Sequence, residues 1–476
     1  MKTKKLLAAL LSVLIMLLMM PVSVFADETV TPPPNSLIVG GVEVVKNGEV
    51  QSYTPDTTWS YDHSEATLTL NGATINGNSS VQFGAGIYSE GGTLTIKFEG
   101  ENSVTGANDS SSAAIYAADS GNLVFSGSGT LTAEGGEATF SYGVYADGGV
   151  TVSGGKLDAT GDEATFSYGV YADGGVEVSG GTLTATGGEA NRSFGAFAAD
   201  DVMVSGGKVN ATGGTATSNS FGVYSFSGNV TVSGGTLEAI SGAATYESIG
   251  VYALEGGVTV SDNGTLTAEG KTAASSYGVR AFSISVEETG ALTAIGGAAT
   301  MYSSYGVSAG SSGSSVTVSG GMLSATSGES VNGSSYGIFV GSGGTVTVSD
   351  GIVFAEGKNS TNFNSYGIFI LQGTVTVSGG IVNVTSGVAK GTSCGVHAGN
   401  GNISVLDAGE LLSNKVNLFP VGDGNWLIYG QTGSVQGNVV LTQDITIPAD
   451  VEITIPAGAT LTIPTDVTLT NDGTII

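Results

Sequence analysis

Two kinds of chemically capable side chain recur through this chain at one interval. The first is aromatic: Tyr88, Tyr116, Tyr145, Tyr171, Phe197, Tyr224 and Tyr252. Arg280 and Ser308 interrupt this row, and Phe339, Phe369 and His397 resume it. Aromatic faces in a line can stack on the apolar C–H faces of sugar rings, and a long apolar stripe on a surface marks a binding site. The bland alternative is a surface ladder in which stacked rings stabilise a sheet by roughly 0.2–1 kcal/mol per pair.

The second kind is acidic. Asp119, Asp147, Asp173 and Asp200 follow the aromatic row, and Glu137, Glu163 and Glu189 form another set 26 residues apart. Carboxylates stacked about 4.8 Å apart repel by roughly 1 kcal/mol in water. Splaying into solvent relieves this, and so would Ca2+, which collects several oxygen ligands. The four aspartates are therefore the candidate calcium ligands. The calcium-binding nonapeptide pattern GGxGxD is absent.

Catalysis finds no comparable support. A glycosidase needs two carboxylates at a defined separation, whereas these acids sit in repeated positions. A lyase needs a strong base beside a calcium cluster. Arg192 falls in a variable loop, Arg280 stands in the aromatic row, and neither has a basic neighbour in sequence. His63 and His397 lack metal-ligand spacing, and no nucleophile elbow is present. The expectation is a protein that is not an enzyme, with polysaccharide lyase as the third reading.

The elements that position these rows follow from a repeat. The glycine of "YGVY" recurs at Gly86, Gly143, Gly169, Gly195, Gly222, Gly250, Gly278, Gly306, Gly337, Gly367 and Gly395, with Ala114 in the second place, at intervals of 26 to 31 residues. Each unit holds short alternating segments between glycine turns, such as "YGVYA", "GVTVSG" and "GKLDATG". Period-two alternation over four to six residues means strands, and units of this size stack as solenoid coils. No proline occurs between Pro55 and Pro420, as expected where every interior backbone N–H is needed for pairing. The predicted fold is all-β: a single-stranded right-handed parallel β-helix of about 12 coils, with N-terminal and C-terminal β caps. A β-propeller is the alternative, but twelve blades exceed its usual range.

Parity assigns the faces. The residue after each anchor is aliphatic, from Ile87, Ile115 and Val144 to Ile368 and Val396. The residue before it (Tyr142, Tyr168, Phe194, Phe221 and their successors) shares that parity, which predicts an internal aromatic stack. The other parity carries the outward row.

Residues 1–26 read as a cleaved secretory signal: Lys2, Lys4 and Lys5, an apolar run from Leu6 to Met20, then Pro21 and a small-residue site ending at Ala26. Removing those three lysines would take the formal charge from −28 to −31. So acidic a chain is a poor partner for nucleic acid or anionic membrane. A single cysteine, Cys394, rules out an internal disulfide framework. The expected divisions are 27–80 as N-terminal cap and first strands, 81–404 as coils, and 405–476 as a C-terminal β region. That last region carries "ITIP", "ITIP" and "LTIP" eight residues apart from Ile445.

The run from "WSYD" and "TLTLNGATI" to "GGTLTIKFEGENSVTG", followed by copies of "YGVYADGGVTVSGGTLTATGG", resembles a family of secreted carbohydrate-binding domains with a polysaccharide-lyase-like right-handed β-helix. Its members belong to gut and clostridial-type Gram-positive bacteria. The resemblance spans Trp59 to about Ser404. It implies binding of plant-type polysaccharide at the cell surface, with calcium in some members. Where those members have a charged or polar residue after "GI", this chain has mainly tyrosine, a departure that argues against carrying over acidic-sugar binding and leaves neutral glycans open. The expectation is a secreted or surface-associated protein that binds polysaccharide or a surface glycan, of the cell wall or a host, through Tyr88 to Tyr252. The alternative is an adhesin or structural spacer.

Overall fold

The computed structural model describes residues 32–54, 56–398 and parts of 402–476. It is all-β, a parallel β-solenoid of about 12 turns. One interior coil shows the plan. Ala138–Ala146, Val150–Val152 and Lys156–Thr160 are three strands joined by tight turns. Each pairs in parallel with its counterpart in the next coil, Ala164–Ala172, Val176–Val178 and Thr182–Thr186. Three parallel ladders thus run through the coils, and the backbone of each interior strand is paired on both edges.

The turns decide the coil's shape. Gly155, Gly181, Gly207 and Gly235 all have φ between 66° and 69°, a conformation that costs glycine little. They open the third strand of four successive coils. This is the physical content of the recurring "SGG".

Within the coils, Val144, Val150, Val152, Leu157 and Ala159 are at most 1 % exposed. Their counterparts in the other coils form one continuous core. The aliphatic row predicted from parity lies there throughout, from Ile87 to Val396.

From Tyr142 to Tyr305 the preceding row does not, and only Tyr366 and Cys394 at its far end join that core. Alternation along the first strand skips a beat at the anchor glycine. Ser141 turns its hydroxyl to the backbone of Asp162, and a side chain on Gly143 would run into Ala159 and Thr160 of its own coil's third strand. Val144 is in the core. Tyr142 is therefore turned to the outer side of the sheet, where its ring stacks on Tyr145 at 4.8 Å. It is buried, but in a second cluster outside the first sheet.

A row of buried serines accompanies this bend. Oγ of Ser141, Ser167, Ser193, Ser220, Ser248 and Ser276 each accepts a backbone N–H from the turn after the third strand, at 2.7–2.8 Å. All six are fully buried. They supply acceptors where the chain leaves the third ladder.

At the start, Ser36–Val39 lies antiparallel to Ile87–Glu90, the first strand of the first-sheet ladder. Thr67–Asn71 and Thr74–Ile75 open the second and third ladders. The coils run past Ser404, because Asn402–Ser413 continues two ladders of the preceding coil. Beyond lies a narrower parallel arrangement. Thr432–Gln436 pairs with Glu452–Thr454, Asn438–Val440 with Thr460–Thr462, and Ile445–Ile447 with Leu469–Asn471. Consecutive eight-residue units therefore fall on three different sheets. The segment read as a signal lies outside the described residues.

Candidate functional site

The outward row is one unbroken register. Tyr88, Tyr116, Tyr145, Tyr171, Phe197, Tyr224 and Tyr252 face one another strand by strand, followed by Arg280, Ser308, Phe339, Phe369 and His397. Ring centroids are 4.8 Å apart for Tyr116 and Tyr145, 4.7 Å for Tyr171 and Phe197, and 5.3 Å for Phe197 and Tyr224. The spacing follows from the ladder, because strands about 4.8 Å apart present rings at stacking distance.

The seven residues are not equally accessible. Tyr88 is 9 % exposed and Tyr116 only 4 %, whereas the five from Tyr145 to Tyr252 are half-buried. The cover at the first end is specific. Ile38 pairs with Tyr88 across the antiparallel strands, and the Phe83 ring packs 4.6 Å from Tyr116. Phe83 reaches this position with φ of 56°, an uncommon conformation for a non-glycine residue. The accessible platform therefore begins at Tyr145, a correction to the expectation that Tyr88 and Tyr116 stand outside.

The second aromatic row forms the platform's backing. Tyr142, Tyr168, Phe194 and Phe221 stack at 4.8–5.0 Å, and each meets the outer ring of its own coil at 4.8–5.8 Å. Such pairs add about 0.5–1.5 kcal/mol beyond area burial, so the double row also contributes to stability. Burial raises the tyrosine hydroxyls, to about 12 for Tyr88 and Tyr168. Tyr145 and Tyr171 are raised by burial too, with Asp147 and Asp173 adding to the shift.

Those aspartates are engaged with neighbours. Asp173 Oδ1 accepts the Tyr171 hydroxyl at 2.8 Å, and Asp147 Oδ2 accepts the Asp119 backbone N–H at 2.8 Å. Asp200 Oδ1 accepts Ser227 Oγ at 3.2 Å. Among the described residues no three His, Cys, Asp or Glu side chains converge as a metal-ligand set.

The platform changes character at one place. Ile249 interrupts the backing row, and Arg280 then stands where a ring would. Its guanidinium lies 4.9 Å from the Tyr252 centroid and 5.1 Å from that of Tyr277, while Nη1 donates to Glu247 Oε1 at 2.8 Å. In the next coil Ser308 leaves the row without a ring. A cleft of about 380 Å3 opens there, lined by Tyr252, Tyr277, Arg280, Tyr305, Ser308 and Phe339 among others. The interruption is visible in sequence as a substitution, but only the three-dimensional register makes it a cleft.

Comparison with protein-family models, with curated proteins and with solved structures yields no match.

Proposed function

We propose that this chain is an extracellular carbohydrate-binding β-solenoid whose accessible aromatic row, Tyr145, Tyr171, Phe197, Tyr224 and Tyr252, lies along a polysaccharide. One observation carries the reading: five consecutive coils each present one half-buried ring in a single register. Half-burial fixes each ring's orientation while leaving part of it to a ligand, and fixed aromatic surface binds at low entropic cost. The strand spacing of about 4.8 Å brings successive rings under successive sugar units of an extended chain.

The test is retention of the protein on insoluble cellulose, xylan and pectin, with calcium and with chelator. Retention that disappears in Tyr145→Ala/Tyr171→Ala, with folding preserved, supports the platform. Absence of retention on all three sinks it for these glycans. A structural spacer is the second reading. It is favoured by the same rings' contacts with one another and with the backing row, which would serve stability without any ligand.

A further inference from the structure

The ladder of rings lacks one rung. Arg280 and Phe339 stand two strands apart in the same register, with Ser308 between them, so about 9.6 Å separates their backbones. Elsewhere this ladder fills each such step with a planar group. Phe197 occupies it between Tyr171 and Tyr224, at 4.7 and 5.3 Å, and Phe369 occupies it between Phe339 and His397, at 5.7 and 5.0 Å. At Ser308 the space is a cleft instead.

The walls of that cleft state what would fill it. On one side is the planar Arg280 guanidinium, already held against Tyr252 and Tyr277 and anchored through Nη1 to Glu247. Glu247 engages one of the five N–H donors that a guanidinium carries. On the other side is the Phe339 ring, which meets Tyr305 and Tyr336 in T-shaped contacts. Ser308, itself buried, lines the cleft between them. The chain has only two arginines, and this one occupies one of the two coils that flank the missing ring.

We infer that this slot binds a planar aromatic ring carrying a carboxylate. The ring occupies the vacant rung against Phe339, and its carboxylate, turned to the edge of the Arg280 guanidinium, accepts a charge-assisted hydrogen bond from the in-plane N–H donors. The site adjoins the end of the platform, sharing Tyr252 with it, and does not depend on that platform binding glycan.

The experiment is equilibrium titration of the full chain with 4-hydroxybenzoate and, in parallel, with its uncharged analogue 4-hydroxybenzyl alcohol. Saturable binding of the acid is expected, with the alcohol at least about tenfold weaker. Ser308→Tyr restores the rung and closes the slot, so its binding falls by more than about tenfold while its thermal midpoint is unchanged or raised. Arg280→Gln weakens the acid by about tenfold. Tyr145→Ala/Tyr171→Ala, several coils away, leaves it unchanged. No saturable binding by the unsubstituted chain at millimolar acid overturns the site, as does undiminished binding by Ser308→Tyr. Equal affinity for acid and alcohol overturns the assignment of a carboxylate.

Discussion

Tyr171 donates its hydroxyl to Asp173, two residues further along the chain, at 2.8 Å. The side chain therefore performs two separable tasks: its ring stacks on Phe197 at 4.7 Å, and its hydroxyl supplies a donor to a carboxylate at the turn. The next coil separates them, since Phe197 keeps the ring and has no hydroxyl.

Tyr171→Phe should therefore cost less than about 1.5 kcal/mol in a denaturant titration, the scale of one hydrogen bond. Any glycan retention should survive. If retention fell as far as in the double alanine variant, the hydroxyl rather than the ring face would be the binding element.

The raised tyrosines make stability fall in alkali. Tyr88 and Tyr168 titrate at about 12 in the folded chain and at about 10 when unfolded. Above pH 10 the unfolded chain loses these protons first, so unfolding is favoured progressively up to pH 12. Below pH 10 the contribution is fully present. Thermal midpoints should stay level with respect to these groups at neutral pH and drop from about pH 10. The share of the tyrosinate absorbance that Tyr88 and Tyr168 contribute, read as the loss in their Phe variants, should rise with the loss of structure, not before it.

The buried serines offer the sharpest test of the coil's construction. In Ser167→Ala the half-buried Gly188 N–H loses the 2.7 Å acceptor that the fully buried Ser167 supplies. The expected loss is about 1–3 kcal/mol, read from a shifted denaturation midpoint with an unchanged slope. A change under about 0.5 kcal/mol, typical of exposed positions, would mean another acceptor serves that group.

Gly169→Ala should be worse tolerated than its size suggests. The added methyl would meet the backbone of Ala185 and Thr186 and lie 2.7 Å from the Gly195 carbonyl oxygen. Overpacking of this kind costs about 1–3 kcal/mol. Ala114 already carries a methyl at the equivalent register position, between Ala113 and Ile115, so Ala114→Gly, which should gain little, is the natural control.

Much of this architecture was legible before any coordinates. The anchor spacing alone aligned Tyr145 with Tyr171 and Val144 with Val170, and the ladders pair those residues. What parity could not carry was the bend at Gly143, because counting by twos assumes a straight strand. That bend moved Tyr142 from the core to the back of the outer row. The serine before the aromatic recurs in "SYG", "SFG" and "SIG" and was a usable signal, but small polar residues are so common here that its repetition was masked. The burial of Tyr88 and Tyr116 depends on Phe83 and Ile38, which lie outside the repeat and whose approach no periodicity encodes.

The coils beginning at Ala138 and Ala164 share the nine residues "ATFSYGVYA" and identical turn positions. Each coil meets only its neighbours, through ladders that are satisfied by any copy in the same register. A gene that gained or lost one such 26-residue unit would encode a chain with matched ladders at the seam and no exposed core. Copy number is therefore structurally silent: recombination between repeats can lengthen or shorten this protein like a tape measure, leaving its two ends as they were.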